Sequence, residues 1–183
     1  ILFNIKDSCL YPNVFTYDSV WLRDAAMGAM VLEKTGNLSL IRKWTDVMTD
    51  IYDSQNNERE GDNIGEYLYL KSLSSGGMND EDMLRLNKEI NARKVLSADG
   101  IYIQGMTDGA ENDFYATAWL KYALSRNPVA IDEYSFPPMG GVYKYLCWFI
   151  REPRFIERCK RLLMNVTGDS PRETSPFPYL QWA

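Results

Sequence analysis

Apolar side chains recur at three- and four-residue spacing along almost the whole chain, which is the period of a helix and not of a strand. Trp21, Ala25, Ala29 and Leu32 fall on one helical face while Val20, Met27 and Val31 crowd another. A first helix is therefore expected to begin after Asp18 or Ser19, stop at Gly36-Asn37 and pack on two sides as an inner helix. A second, from Ser39 to Asp53, aligns Ile41, Trp44, Met48 and Ile51 opposite Arg42, Lys43, Asp46 and Asp50, the pattern of a one-sided outer helix. After the polar stretch Ser54 to Gly61, Asp62 is placed to cap a third helix carrying Ile64, Tyr67 and Leu68.

Ser72 to Asn79 reads as a break, and a charged fourth helix starts at Asp80 with Met83, Leu86 and Ile90 inward. Ser97 to Glu111 is irregular, with Ile101 to Gln104 as a short strand. Asn112 caps a fifth helix bearing Tyr115, Ala118, Trp119, Tyr122 and Ala123, and Pro128 ends it. Tyr143, Leu146, Cys147 and Ile150 mark a sixth. Pro153 opens a seventh that buries Phe155, Ile156, Cys159, Leu162 and Leu163 before a Pro-rich tail from Ser170. The expectation is an all-α fold, a single domain over residues 1–183, in which inner and outer helices alternate as in a layered α/α arrangement, with a plain helical bundle as the alternative. No repeat of the tetratricopeptide or ankyrin kind is present.

Composition removes whole classes of function. The net charge is −5 and no basic stripe stands out, so a nucleic-acid partner is not expected. No apolar run approaches the roughly 18 to 20 residues needed to cross a bilayer, so no membrane partner is expected either. Cys9, Cys147 and Cys159 are too few and too irregularly spaced for a disulfide framework or a zinc site. The chain has no histidine, which excludes Ser-His-Asp and Cys-His catalysis and most catalytic zinc sites. With no Gly-rich phosphate loop in addition, no cofactor is expected, and any acid-base chemistry falls to carboxylates, Tyr or Lys. The aromatic share is high, with twelve Tyr and five Trp to fill a core or pave a binding cleft.

The stretch Tyr17-Asp18-Ser19-Val20-Trp21-Leu22-Arg23-Asp24 lies at the mouth of the first inner helix. It resembles the Tyr-x-x-x-Trp-x-Arg-Asp signature of glucoamylase-type enzymes, members of the six-hairpin (α/α)6-barrel glycosidase superfamily. The resemblance implies that Arg23 and Asp24 bind hydroxyls of a terminal sugar, with Tyr17 and Trp21 shaping the pocket. A guanidinium fork and a carboxylate suit vicinal hydroxyls, and a flat ring stacks on a sugar face. The residue-level alternative is an Arg-Asp pair at a helix start with Trp21 as core.

A second likeness lies in Gly105 to Thr117, where an acidic loop precedes a helix opening on Phe114-Tyr115. By resemblance Asp108 or Glu111 takes the place of the catalytic acid, although the family's Trp-Glu-Glu is absent. The plain alternative is acid enrichment at the positive end of a helix dipole, which suffices for Asp113. A third acidic cluster comprises Glu58, Glu60, Asp62 and Glu66. Here Asp62 reads as a cap and Glu66 as solvated, with Glu66 also a candidate for substrate contact on the rim shared with Arg23 and Asp24.

A complete toroid in this superfamily has twelve helices against about seven here, so the expectation is an incomplete α/α toroid. The rest of the barrel or a second copy would complete it. The implied function is hydrolysis of an oligo- or polysaccharide by carboxylate acid/base chemistry, with carbohydrate as the partner. A non-catalytic carbohydrate-binding or scaffold toroid, and a sugar epimerase or lyase, are the alternatives.

Overall fold

A computed structural model describes residues 4–53, 59–98, 100–107, 110–111, 113–127 and 134, all within one compact unit, Ile1–Pro137. The expected sixth and seventh helices, with Cys147, Cys159 and the tail, lie outside the described residues. What is described is mostly helical: α1 (Leu22–Lys34), α2 (Arg42–Val47), α3 (Asp62–Ser72), α4 (Asp80–Arg93) and α5 (Asp113–Arg126).

The first helix starts later than expected. Ser19 Oγ donates to Asp18 Oδ1 at 3.1 Å, and neither residue caps α1. Its end is as the sequence indicates. Gly36 adopts φ +74°, the Gly36 N–H reaches Glu33 O at 3.2 Å and the Asn37 N–H reaches Leu32 O at 2.8 Å, a Schellman closure.

The second helix is much shorter than its apolar stripe. After a 3-10 turn at Leu38–Leu40, α2 stops at Val47, and Met48 is already extended at φ −64°, ψ 136°. Ile41, Met48 and Ile51 are still buried, so the stripe marks burial correctly and helix incorrectly. A buried lysine satisfies the backbone there: Lys71 Nζ of α3 donates to Asp46 O at 3.2 Å and to Met48 O at 3.0 Å, carbonyls at the end of α2.

Side-chain bonds fix the directions of the helices. Arg23, near the start of α1, pairs with Asp62 at the start of α3, while Tyr69 near the end of α3 donates to Glu33 near the end of α1 at 3.1 Å. The start of α3 also meets the start of α5, because a Cβ on Gly61 would stand 3.2 Å from Ala116 Cβ. Arg126 at the end of α5 pairs with Glu33. Thus α1, α3 and α5 run parallel. α4 runs the other way along α3: its first turn gives Asp82 to Tyr67 at 3.0 Å, and its last turn gives Arg93 to Arg59 O at 3.4 Å. Asn79 caps it by accepting the Asp82 N–H at 2.8 Å.

α3 is the central element, with every residue from Asp62 to Lys71 buried. Gly65 makes this possible, since an added Cβ there would lie 2.4 Å from Leu120 N and from Trp119 C. The α3–α5 seam is lined by Tyr69, Trp119 and Tyr122, with ring centroids 5.4 to 6.2 Å apart.

Three antiparallel two-stranded hairpins complete the described fold. β1 (Ile5–Lys6) and β2 (Cys9–Leu10) turn through Asp7 and Ser8, both at positive φ, and seat Leu10 against α1 at Gly28. β3 (Lys94–Ser97) pairs with β4 (Gly100–Ile103), close to the one strand expected there. Thr117 of α5 anchors β4 by accepting the Ile103 N–H at 3.1 Å. β5 (Met106–Thr107) pairs with β6 (Ala110–Glu111).

Candidate functional site

The site lies where the starts of α1, α3 and α5 meet. On α1, Arg23 turns inward, its side chain 11% exposed, to bond Glu60 at 2.9 Å and Asp62 at 3.0 Å. Its guanidinium also stands 5.9 Å from the Tyr115 ring centroid of α5. Asp24, the next residue, is exposed. Just before the helix, Tyr17 and Trp21 meet edge to face at 6.4 Å, Tyr17 exposed and Trp21 half-buried. The sequence motif therefore divides in two: Tyr17, Trp21 and Asp24 face outward or partly so, and Arg23 belongs to a buried ionic network.

That network holds more carboxylates than the sequence discloses. Asp53 Oδ1 accepts the Leu22 N–H at 2.8 Å, and Asn63 Nδ2 bridges Asp53 Oδ2 at 3.4 Å and Glu66 Oε2 at 3.0 Å. Glu66, expected to be solvated, is 0% exposed, and its Oε1 has no hydrogen-bond partner among the described residues. The cause of the reversal is the central place of α3, which leaves that helix no water-facing side. Burial, and then the charge of Asp62, push the Glu66 carboxyl well above the usual range, against the opposing pull of Arg23. Asp53 is pushed up to about 6, chiefly by burial, while the Leu22 N–H works in the other direction. One guanidinium thus stands among the carboxyls of Asp53, Glu60, Asp62 and Glu66, and the crowding of like charge adds to burial in raising Asp53 and Glu66.

The third contribution is backbone from the segment before α5. The Gly61 N–H donates to Met106 O at 3.0 Å, which ties β5 to the start of α3. Met106 is the register partner of Glu111, so the backbone of Glu111 in β6 stands beside this same end. Gly61 and Gly105 pack so closely that a Cβ on Gly61 would lie 2.6 Å from Gly105 Cα. Asp113 at the start of α5 accepts the Gly105 N–H at 2.9 Å. Asp108 and Glu58 lie outside the described residues.

The structure therefore brings together Tyr17, Trp21, Arg23, Asp24, Glu66 and the strand bearing Glu111. Asp53, Asn63 and Tyr115 join them without having been expected there. Tyr115 was legible as core, and its hydroxyl is pushed well above its ordinary range, first by burial and then by Glu66. Asn63 lies within the acidic stretch that the sequence flags. Asp53 has no local signal, because its partner Leu22 is 31 positions away.

Among the described residues, no group of three or more His, Cys, Asp or Glu side chains is arranged to hold a metal ion, and no helix is long and apolar enough to cross a membrane. Compared with family models, curated proteins and solved structures, the chain shows no match.

Proposed function

We propose that this chain is a glycoside hydrolase-like domain, part of an α/α toroid, acting on an oligo- or polysaccharide through carboxylate chemistry. The observation that carries this reading is the convergence of three separate segments on one end of the helical array. These are the Tyr17 to Asp24 stretch, the acidic segment before α3, and the β5–β6 hairpin bearing Glu111. Parallel α1, α3 and α5, with α4 antiparallel outside α3, is the layering such a toroid requires.

In this reading Tyr17 and Trp21 offer ring faces to a sugar, and Asp24 accepts from its hydroxyls. Arg23 holds Glu60 and Asp62 in place beneath and sets the local field, and Glu66 supports the network from within. Asp108 or Glu111 protonates the leaving oxygen. Inversion with water needs a second carboxyl roughly 6.5–9.5 Å from the first, which the remainder of the ring supplies.

The test is calorimetric titration and a reducing-end assay with malto-, cello-, manno-, xylo- and chito-oligosaccharides of two to five units. The wild-type protein should bind at least one series, and Asp24→Asn should weaken that binding about 10-fold or more, the worth of a hydrogen bond to a charged group. Unchanged affinity of Asp24→Asn across the panel would remove the proposal. One observation favours a second reading, a binding domain without catalysis: the buried carboxyls of Asp53, Glu60 and Asp62 beneath the rim are engaged by Arg23, Asn63 and the Leu22 N–H. Binding without new reducing ends would support it.

A further inference from the structure

A helix start leaves its first N–H groups without partners inside the helix, and a side chain just before it commonly fills the gap. α1 lacks that arrangement, because Trp21 sits at its N-cap position and makes no side-chain hydrogen bond there. Asp18 and Ser19, the local candidates, bond to one another. The bond comes instead from Asp53, 31 positions further on, whose Oδ1 accepts the Leu22 N–H at 2.8 Å. The peptide plane so held is the one joining Trp21 to Leu22.

Asp53 is itself held from α3. Its own N–H donates to Asn63 Oδ1 at 3.3 Å, and Asn63 Nδ2 approaches its Oδ2 at 3.4 Å. Asn63 follows Asp62 directly, and Asp62 grips Arg23 from the other side at 3.0 Å. The start of α1 is therefore gripped at two neighbouring points by two neighbouring residues of α3, once through Arg23 and once through Asp53. A cap from within the loop would stabilise α1 equally well but would leave its first turn free to shift relative to α3. The remote cap removes that freedom.

We propose that Asp53 is a positioning residue that fixes Trp21 and Asp24 against the acidic segment of α3, and so sets the geometry of the sugar-binding rim. This rests on the reading of that rim as carbohydrate-binding, whereas the positional effect on Trp21 is independent of any sugar. Misplacement of a reacting substrate by about 1 Å is enough to cost on the order of 100-fold in rate.

The experiment compares Asp53→Ala with Asp53→Asn in the full chain labelled with 5-fluorotryptophan. The Trp21 fluorine resonance is assigned by its loss in Trp21→Phe. Asn retains an oxygen acceptor for the Leu22 N–H and the backbone bond to Asn63 Oδ1, giving up only the long 3.4 Å approach of Asn63 Nδ2, whereas Ala loses both side-chain acceptors. In Asp53→Ala the Trp21 resonance should shift or broaden and affinity for the bound oligosaccharide should fall at least 10-fold. In Asp53→Asn the resonance should stay in place and affinity should remain within about 3-fold.

Should Asp53→Ala not fold, Asp53→Glu carries the same comparison, because it keeps the charge and moves the acceptor by one methylene. It should displace the resonance where Asp53→Asn does not. A Trp21 resonance unmoved in a folded Asp53→Ala, or as disturbed in Asp53→Asn as in Asp53→Ala, overturns the inference. If the wild-type protein binds no member of the oligosaccharide panel, the functional reading fails, and the Trp21 resonance alone decides the positioning role.

Discussion

Among the described glycines, Gly65 at the crossing of α3 and α5 leaves least room for a side chain, and replacing it by alanine gives a sharp test of the packing. A Cβ at Gly65 would stand 2.4 Å from Leu120 N, 2.4 Å from Trp119 C and 2.6 Å from Trp119 Cβ. All three atoms are backbone or Cβ of α5, so no rotamer change makes room. Restoring ordinary contact requires the helices to part by roughly 1 Å, and a gap of that size forfeits a quarter to a half of the dispersion well between facing atoms. Tyr67, Tyr69, Tyr115 and Trp119, all 0% exposed, would feel it.

Overpacking of this kind costs about 1–3 kcal/mol or somewhat more, and the better helix propensity of alanine returns at most about 1 kcal/mol. Because the clash is with backbone, the cost falls at the upper end, about 3 kcal/mol, and the expected net loss is about 2 kcal/mol. Gly28→Ala is the matched control, because there a Cβ would meet only Leu10 Cδ1 and Cδ2, at 3.3 Å, the far end of a side chain that can turn aside. Its expected effect lies within about 1 kcal/mol of zero, since the helix propensity gained offsets the displacement of Leu10. Urea unfolding followed by tryptophan fluorescence measures both, with the m-value as a check that the unfolded states match. Equal stabilities for the two variants would refute the close crossing of α3 and α5.

Three further outcomes follow from the buried charges. The Asp53 carboxyl is raised from 3.8 to about 6 in the folded chain, so its contribution to stability is fullest below pH 3.8 and is lost as pH rises through 6. At about 1.4 kcal/mol per unit this amounts to no more than about 3 kcal/mol. Asp53→Asn should therefore flatten the stability profile between pH 4 and 6 in chemical denaturation, and an unaltered slope there would count against the raised carboxyl. Arg23→Gln leaves Glu60 and Asp62 buried without their cation, so thermal or urea unfolding should show a loss of about 3–5 kcal/mol. A loss below about 1 kcal/mol would argue that packing, and not charge, is what Arg23 supplies. Lys71→Met removes the donor to Asp46 O and Met48 O and the partner 3.6 Å from Asp82 Oδ2, so about 2–4 kcal/mol should be lost. Hydrogen exchange should then rise first in Met48 to Asp53, and uniform protection there would contradict the clamp.

The places where sequence and structure part share a physical cause. The apolar period finds α1, α3, α4 and α5 because apolar residues at helical spacing lie within each segment itself. It overstates α2, because a stripe records which residues are covered and not which backbone conformation covers them. The covering of Met48 includes Lys71, a residue 23 positions beyond the carbonyl it takes from Met48. β3 was missed although Asp99-Gly100, with Gly100 at φ +128°, is a turn signal between two short apolar runs.

The site follows the same division. Tyr17, Trp21, Arg23 and Asp24 were legible as a contiguous pattern, and the acidity around Glu60 and Asp62 was legible as composition. That α3 has no exposed face, and so turns Glu66 inward, was not legible, since Glu66 falls where a one-sided helix would face water. Asp53 was invisible for a deeper reason. Its role is to reach Leu22, and neither residue type nor spacing within either segment announces a bond between them.

That invisibility bears on how the rim is built. The motif residues that a sequence reveals offer the ring faces and the carboxylate of Asp24, but their placement depends on two grips from α3, Asp62 on Arg23 and Asn63 through Asp53. Both grips are charged or strongly polar and almost wholly buried, an arrangement that leaves a costly unpaired group if either side is removed. A purely apolar seam between α1 and α3 would hold the helices together and still allow them to slide by a fraction of a turn. Directional bonds at two successive backbone positions do not allow it. The carboxyl-rich network is thus better understood as the device that registers one inner helix against the next at the end where the candidate site lies. Raised carboxyls at Asp53 and Glu66 are the electrostatic consequence of burying that network.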